Sequence, residues 1–394
     1  MIRIIKLCFL LFLVVFCSCN NNTSTKVPLR GDFEIIKIES PGQDSIVHLS
    51  NFVKSVKLVP LEFSDNSIVG KVKKMKFYKD RIYIHDKYQT SLLVFDIQGK
   101  FLHTIGVLGK GKDEYLDLTS FDVNEKGVFI YNYNPSEIYH YDYEGIPLQK
   151  SKIRDFQGEY FAMQNDFYYL YRSSPKTGSE FELNIYSSDF KDHVGYFPSN
   201  TDYESVGVTG LFSGTSSDGS IPFHLPLNDT IYMLNKDEIT ASYFIDFGKY
   251  RISEKDRLDL YKNMAPVDEA SAREEFAFDV NNVQSTDSYL FCNYYYRYIL
   301  HPVFYNKKDK TIINSYNIFD DISNMIFANP ITQYENKLVG VYYPDNISAN
   351  IEFIQRLIKE KGRVTDQGRE NLELLESLSK DVFSANAFVI LYTL

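Results

Sequence analysis

The sequence contains no tryptophan and only four cysteines among its 394 residues. Without tryptophan the largest aromatic face is missing, which makes a groove that stacks against sugar rings less expected. Cys8 and Cys17 lie in a segment that we expect to be removed, so only Cys19 and Cys292 remain. These two cannot build an intramolecular disulfide framework. We interpret Cys292, which lies in an apolar strand-like run, as a small buried core residue.

Basic residues are fewer than acidic ones, with 42 lysines and arginines against 52 aspartates and glutamates, and the formal net charge is −10. This balance opposes nonspecific binding to nucleic acid or anionic lipid, so we expect no nucleic-acid partner. The seven histidines form no HExxH or HxH pair, and the chain has neither a Gly-x-Ser-x-Gly elbow nor an Asp-x-Asp-x-Asp loop. The sequence therefore predicts no catalytic residue, no metal site and no cofactor.

The long apolar run of this chain is Leu7–Phe16, which follows a positive region formed by Arg3 and Lys6. A run of this length is too short to span a bilayer comfortably as a stop-transfer helix. The pattern is typical of a secretory signal peptide. We therefore predict that residues 1–18 are cleaved.

The end of this segment has the pattern of a bacterial lipobox, because the small residue Ser18 precedes Cys19. We predict that Cys19 is lipidated and anchors the protein to the membrane, with residues 19–50 as the lipidated cysteine and tether. Residues 27–50 are interpreted as an extended lead-in. The alternative is an ordinary cleaved signal peptide with incidental cysteines.

Tyrosine and phenylalanine are abundant, with 31 and 30 residues, and both suit pleated, half-buried strands. Between Arg81 and Tyr143 one unit of short aromatic and β-branched strands is written twice, each copy with an Asp-x-x-Gly turn. Asp142 follows Asp96 by 46 residues. A repeat of about this length made only of strands is typical of a β-propeller blade. We interpret the Asp-x-x-Gly pairs as hairpin turns in which Gly supplies a positive φ.

Continuing this spacing divides residues 51–394 into six blades, so the sequence predicts an all-β, six-bladed β-propeller with two small helical insertions. The insertions are expected at about 253–281 and 347–380, where charged residues and helix-like spacing replace the strand pattern. Both should crowd the same mouth of the central channel. The strand Val53–Leu61 has no preceding hairpin partner, so we expect it to pair in the last blade and close the ring, which would leave no open blade edge.

The chain resembles the six-bladed β-propeller lipoproteins of Bacteroidetes, which are relatives of the NHL-like propellers. The residues that carry the resemblance are Ile82–Asp86, Val94–Lys100, the linker 105–115, Asn228–Tyr232, Ile245–Gly248 and the apolar C-terminal strand. Lys112 and Asp113 stand where the family pattern has Pro-Gly, so this turn differs from the pattern. The resemblance implies a Gram-negative outer-membrane lipoprotein, on the periplasmic face or the cell surface, and implies no established reaction.

Candidate ligand-binding residues lie in the loops that join the second and third strands of the blades, because these loops face the channel mouth. They are Asp86, Lys87, Tyr133, Tyr171, Arg172, Tyr296 and Arg297. The arginines are suited to a carboxylate or sulfate, and the tyrosines to stacking.

The function we favour is a ligand-binding or protein-interaction scaffold of the envelope that captures a glycan or peptide nutrient. One alternative is a hydrolase or lyase that acts on a glycan, peptide or lactone at the propeller mouth. Another is a structural partner of an outer-membrane transporter. A binding module predicts aromatic and cationic residues at the mouth, whereas an enzyme predicts converging carboxylates or a histidine–aspartate cage.

Overall fold

The computed structural model describes residues 33–88, 91–111, 114–153, 156–172, 180–190, 193–199, 210–212, 214–253, 255–257, 276–297, 299–361, 364–379 and 385–394. Six four-stranded sheets dominate this part of the chain. The innermost strands of neighbouring sheets contact one another around a central channel. The predicted six-bladed β-propeller is confirmed.

In the N-terminal half of the propeller, the successive strands of each blade follow one another from the channel outwards. Three strands come first in the chain: β1 (Glu34–Lys37), β2 (Val47–His48) and β3 (Ser55–Pro60). Blade one contains β4 (Val72–Tyr78), β5 (Arg81–Asp86), β6 (Leu92–Asp96) and β7 (Phe101–Ile105). Blade two contains β8 (Ser120–Asn124), β9 (Gly127–Asn132), β10 (Glu137–Tyr141) and β11 (Pro147–Lys152). Blade three contains β12 (Tyr160–Gln164), β13 (Phe167–Tyr171), β14 (Phe181–Ser187) and β15 (His193–Pro198).

The C-terminal half continues the ring, and two of its blades borrow a strand from the N-terminus. Blade four contains β16 (Ile221–His224), β17 (Thr230–Asn235), β18 (Glu238–Asp246) and β1. Blade five contains β19 (Ala277–Ser285), β20 (Tyr289–Tyr296), β21 (Ile299–Asn306) and β22 (Ile312–Asn314), and is followed by β23 (Ile318–Phe319). Blade six contains β24 (Thr332–Tyr334), β25 (Lys337–Tyr342), β26 (Phe388–Thr393) and β3. Two helices, α1 (Asn346–Lys361) and α2 (Asp366–Ser379), separate β25 from β26, and short 3-10 turns occupy Leu49–Asn51 and Gly248–Tyr250.

The core lies between the blades, because successive side chains of a strand point to opposite faces of its sheet. In β5, Ile82 and Ile84 pack in one cluster with residues of blade six, whereas Tyr83 packs in the next cluster with residues of blade two. All three side chains are fully buried. The abundance of tyrosine, phenylalanine and β-branched residues follows from this arrangement, since a middle strand buries both of its faces.

The ring closes through the pairing of β3 with β26. The two strands are antiparallel, with Ser55 opposite Thr393 and Pro60 opposite Phe388. This is the closure that the sequence predicts. Asn386 strengthens it, because its amide donates to the carbonyl oxygens of Glu62 and Ser67 at 2.9 and 2.7 Å.

Two Asp-x-x-Gly turns join third and fourth strands at the end of the blades opposite the second-to-third loops. In the first turn, Asp96 Oδ1 accepts hydrogen bonds from the N–H groups of Gln98 and Lys100, both at 2.9 Å. Gly99 has φ +91°, a conformation that glycine adopts without strain. The structure thus shows the hairpin turns that the sequence predicts.

The N-terminal segment is more than a lead-in, which corrects the prediction for residues 27–50. β1 pairs parallel with β18 and supplies the outermost strand of blade four. The chain then crosses blade five, where Tyr294 Oη accepts from the Gly42 N–H at 3.4 Å, and β2 pairs with β23 before β3 enters blade six. An open strand edge is a site for unwanted pairing, and β1 covers the one that blade four would otherwise present.

The range 253–281 predicted for the first helical insertion extends too far at its C-terminal end. Strand β19 begins at Ala277, inside the range 253–281, and forms the innermost strand of blade five. Residues 258–275 lie outside the described residues.

Helices α1 and α2 occupy the range of the second predicted insertion, but they do not crowd the channel mouth as expected. Ile347, Ile354 and Leu375 are buried in the cluster that contains the outer strand of blade six. The Gln367 side chain donates to the Val56 carbonyl oxygen at 2.6 Å. The helices therefore pack on the flank of the propeller, because their apolar faces bury more surface there than a solvent-filled mouth would offer.

Candidate functional site: a cavity where the six blades meet

A cavity of about 600 Å³ opens at the end of the channel at which the second-to-third loops lie. Its wall combines the starts of several innermost strands with the ends of several second strands. Blades one to three contribute, in order, Lys71–Met75, His85 and Lys87; Thr119 and Ser120; and Glu159 and Tyr160. Gly210 and Leu211 come from the connection between blades three and four. Blades five and six contribute Asn281, Asn282, Asn293, Tyr295 and Leu300, and Asn329, Ile331 and Tyr343. A volume of this size is that of a pocket for a small organic ligand.

Two lysines of blade one stand close together at the cavity without a counter-charge. The backbone N–H of Lys87 donates to the carbonyl oxygen of Lys71 at 2.8 Å, so the two side chains leave the backbone from adjacent points. Both residues are exposed. Among the described residues, neither ammonium group has a hydrogen-bond or ion-pair partner. These two side chains are available to an incoming anion.

Two further lysines of β4 are held in place by backbone carbonyl groups. Lys73 Nζ donates to the Thr119 carbonyl oxygen and Lys74 Nζ to the Phe161 carbonyl oxygen, each at 2.9 Å. Burial, assisted by the nearby charge of Lys87, lowers the pKa of Lys73, and Asp117 opposes the shift. Burial lowers the pKa of Lys74 to about 8. Lys74, with a pKa of about 8, remains predominantly charged at pH 7 and adds to the positive potential at this wall.

Asp122, which is 1% exposed, balances part of this charge below the cavity. Its carboxylate accepts from Lys76 Nζ and, at 2.9 Å, from the Met163 N–H, and Lys74 Nζ lies 4.0 Å away. The carboxylate therefore joins the innermost strands of blades one, two and three. It offsets the charges of Lys74 and Lys76, but not those of Lys71 and Lys87, which lie at the rim of the cavity.

Two buried polar side chains on the wall carry an atom that has no partner among the described residues. His85 and Asn293 are each 1% exposed, and neither His85 Nδ1 nor Asn293 Oδ1 has a hydrogen bond there. Burial, with the charges of Lys73 and Lys74, lowers the pKa of His85 to about 3, so its imidazole is neutral at pH 7. Buried polar atoms nearly always have a partner. This wall is therefore suited to hydrogen bonding with a molecule that enters the cavity.

Blade five presents amides to the cavity because its innermost strand is irregular. The pairing of β19 with β20 shifts register on both sides of Asn281. Asp279 and Asn282 have φ values of +58° and +51°. Bulges of this kind redirect side chains, and here they accompany the placement of Asn281 and Asn282 on the cavity wall.

Much of the remaining lining is apolar or aromatic, with Tyr160 from blade three and Tyr295 from blade five. Glu159 is the only carboxylate among the described lining residues. It lies near Arg172, where its charge tends to raise the pKa of the guanidinium, although burial lowers that pKa overall. A chain with a net charge of −10 thus places four lysines and one glutamate around one cavity.

Of the residues predicted for the site in blades one and two, Lys87 lines the cavity. Asp86 is fully buried and accepts from the N–H groups of Gly70, Lys71 and Tyr88 at 2.6 to 2.9 Å. It positions the loop that carries Lys71 and Lys87. Tyr133 is half-buried and is not part of the described lining.

The predicted residues of blades three and five lie in the expected second-to-third loops, but outside the cavity wall. Tyr171 and Arg172 are buried, and the Arg172 guanidinium lies 5.1 Å from the centroid of the Phe156 ring. Tyr296 is also buried, and the exposed Arg297 stacks on its ring at 5.2 Å. Their role in ligand binding stays a prediction.

Sequence reasoning missed most of the wall, above all Lys71, Lys73, Lys74 and Asn293. One signal was present: three lysines in the four residues 71–74 open a strand whose neighbours are almost entirely apolar. A half-buried strand rarely starts with such a concentration of charge unless the strand end is solvated or binds an anion. The paired asparagines at 281 and 282 were a second signal, since asparagine is depleted in strands.

The structure allows no metal centre to be assigned in the described part of the chain, where no three His, Cys, Asp or Glu side chains are grouped to hold an ion. Within the same residues, no helix has the length and apolar character needed to cross a bilayer.

Fold and cavity together define a class of protein: a six-bladed β-propeller with a cavity at one end of its channel, an architecture that fits a binding or scaffold role. The family model described as a domain of unknown function (DUF4934) matches residues 33–391. The chain belongs to this family. Among curated proteins, no match was found.

Solved structures share the fold. A protein of Bacteroides fragilis NCTC 9343 that is inferred to be exported (BF0058) is similar with a TM-score of 0.71 and 19% identity, over 91% of this chain and 98% of that chain. A member of the duf4221 family from Bacteroides vulgatus ATCC 8482 has a TM-score of 0.43 and 11% identity, over 66% of this chain and 86% of that chain. The first likeness agrees with the propeller architecture, and the second is too low to carry an argument.

Proposed function

We propose that this protein is a lipid-anchored binding propeller of the cell envelope that takes a small nutrient molecule, a glycan or peptide fragment, into the cavity where its blades meet. The observation that carries the proposal is the cavity wall, to which five blades and the connection before blade four contribute and in which two rim lysines and two buried polar atoms have no partner among the described residues. Pockets that combine apolar walls with a few convergent polar groups are the usual small-molecule sites of proteins.

The envelope address in this proposal rests on the sequence and on one relative. Ser18-Cys19 follows a signal-peptide pattern, and the Bacteroides fragilis relative is inferred to be exported. Expression of the full chain and of Cys19→Ala in a Bacteroidetes host tests the anchor. We expect the native chain in the membrane fraction with an acylated N-terminus by mass spectrometry, and the variant in the soluble fraction. A native chain that is soluble and unacylated would overturn it.

Ligand binding is tested by thermal unfolding of the mature chain against panels of saccharides and peptides. The chain lacks tryptophan, so far-UV circular dichroism is the appropriate signal. A ligand at 100 times its Kd adds about 2.7 kcal/mol to the free energy of unfolding, which raises Tm visibly.

The cavity itself is tested with Asn329→Trp, because Asn329 lines it, is half-buried and makes no hydrogen bond among the described residues. We expect this variant to unfold at the native temperature without ligand and to lose the ligand-induced rise. A rise that survives the substitution would place the site elsewhere.

A further inference from the structure

We infer that the molecule bound in this cavity is a hydroxylated carboxylate, of the chemical type of a uronic acid, with its carboxylate at the rim lysines and its hydroxyl groups at His85 and Asn293. This inference rests on the proposed function and narrows it to one ligand class. The acid group, the hydrogen-bond donors and the organic frame are each required by a different part of the wall.

The acid group follows from the arrangement of charge at blade one. Lys71 and Lys87 leave the backbone from two residues that share a 2.8 Å hydrogen bond, and Lys73 lies close enough to Lys87 for the two charges to interact. Like charges held together repel one another. Because the wall is of low polarity and partly closed, an anion placed between them is stabilised more than it would be at an open surface.

The carboxylates already present do not occupy this position. Asp86 is buried and committed to three backbone N–H groups, and Asp122 lies deeper, bound to Lys76. Asp117 accepts from the Thr119 hydroxyl at 2.8 Å and acts on Lys73. Glu159, directly before the first strand of blade three, lies near Arg172. The exposed ammonium groups of the rim are therefore left for a ligand.

The hydroxyl groups follow from the two buried acceptors. Asn293 Oδ1 is an acceptor, and the neutral imidazole of His85 has one acceptor nitrogen. Both side chains are 1% exposed, and both carry an atom without a partner among the described residues. A ligand hydroxyl can donate to Asn293 Oδ1, and a hydroxyl suits His85 Nδ1 in either tautomer because it both donates and accepts. A simple inorganic anion such as sulfate has no proton to donate there.

The organic frame follows from the rest of the lining. Tyr160, Tyr295, Leu211, Leu300 and Ile331 surround the polar groups with apolar surface. The apolar face of a sugar ring fits such surface, while its edge carries the hydroxyl groups. The volume of about 600 Å³ has room for one or two sugar rings.

Isothermal titration calorimetry of the mature chain tests this inference, with digalacturonic acid as the probe and the corresponding neutral disaccharide beside it. We expect the acidic disaccharide to bind at least tenfold more tightly than the neutral one, with an affinity that falls as salt is raised. The double substitution Lys71→Met/Lys87→Met should weaken binding of the acidic disaccharide at least tenfold. Lys100→Met, an exposed lysine of the same blade at the opposite end, is the matched control and should bind as the native chain does.

Asn293→Leu separates the second half of the inference from the first. It keeps the charge of the rim, so it should weaken the acidic and the neutral disaccharide by a similar factor. If the native chain bound both disaccharides with equal affinity, the assignment of an acid group to the ligand would be overturned, and the proposed function would remain intact. Binding of a peptide with a free C-terminus, without either disaccharide, would overturn the hydroxylated frame. Absence of any saccharide or peptide binding would overturn the inference and the proposed function together.

Discussion

Gly99→Ala should destabilise the propeller far more than the equivalent change at Gly145, although both residues occupy the same place in an Asp-x-x-Gly turn. Gly99 has φ +91° and Gly145 has φ +85°, so both substitutions carry a similar backbone strain of about 1 to 2 kcal/mol. The difference lies in the surroundings. A Cβ at Gly99 would stand 2.1 Å from the Pro60 carbonyl oxygen, whereas at Gly145 its nearest neighbour would be the Thr104 carbonyl oxygen at 3.2 Å.

The contact at Gly99 cannot be relieved by a side-chain rotation, because the atom it meets belongs to the backbone of β3. The turn has to move away from the closing strand, which breaks the bond from the Glu62 N–H to the Gly99 carbonyl oxygen at 2.7 Å. Loss of a buried hydrogen bond adds about 1 to 3 kcal/mol. We expect a total loss of about 2 to 5 kcal/mol for Gly99→Ala and about 1 to 2 kcal/mol for Gly145→Ala.

Urea unfolding followed by far-UV circular dichroism measures both losses, with the native chain and the two variants at one pH. A shift of the midpoint with an unchanged slope indicates a change of stability alone. Equal losses in the two variants would refute the reasoning, since they would show that φ strain decides the outcome and that the contact between blades one and six does not.

Three further substitutions test other parts of the structure. Asn386→Ala should lower the free energy of unfolding by about 3 kcal/mol, because it removes three hydrogen bonds and leaves the buried N–H of Val69 and the Ser67 carbonyl oxygen without those partners, while the Glu62 carbonyl oxygen keeps the Ser67 hydroxyl; urea unfolding with a loss below 1 kcal/mol would contradict this. Asp122→Ala should cost about 3 to 5 kcal/mol because Lys76 then stays buried and unpaired, and Asp122→Ala/Lys76→Met should recover part of that loss in the same assay; no recovery would contradict the pairing. For His85 the folded-state pKa of about 3 lies below the unfolded value of 6.5, so the unfolded state binds a proton that the folded state excludes as pH falls from 6.5. Stability should therefore decrease by about 1.4 kcal/mol per pH unit from this group, and His85→Gln should decrease less between pH 6.5 and 4.5; parallel pH profiles would contradict the burial of a neutral imidazole.

The blades could be predicted because their signals are local. Asp96 and Asp142 mark equivalent turns in successive repeats, and alternation along a middle strand such as β5 is decided by the two cores on either side of it. Ring closure was also predictable, because an isolated strand at 53–61 and an apolar strand at the C-terminus each lacked a partner in the sequence.

The parallel strand β1 could not be predicted in this way. Its four residues, Glu34–Lys37, bury only Ile36, and its partner β18 lies about 200 residues further along the chain. Blade four needs it because, among the described residues between β18 and β19, the chain forms no fourth strand for this blade. A pairing that satisfies a distant open edge leaves little trace in the sequence of the strand that supplies it.

Most of the cavity wall also could not be predicted from the sequence, but for a different reason. Second-to-third loops were correctly located, but the wall is formed mainly by strand ends and by the bulged strand β19, and side-chain direction there depends on register shifts that sequence spacing does not reveal. Arg172 illustrates this. It directly follows strand β13, at the start of the expected second-to-third loop, and yet its guanidinium packs on Phe156. Charge at a loop is visible in a sequence, whereas the face to which a bulge directs it is not.

The position of β1 also changes what the proposed lipid anchor would do. If the tether runs from Cys19 to the start of β1 at Glu34, it has 15 residues and can extend to about 50 Å at most. It joins the propeller at the outer edge of blade four, not at either end of the channel. A lipid anchor attached at the outer edge of blade four would leave the cavity end of the channel free. A ligand could then reach the lysines of blade one without displacing the protein from the membrane.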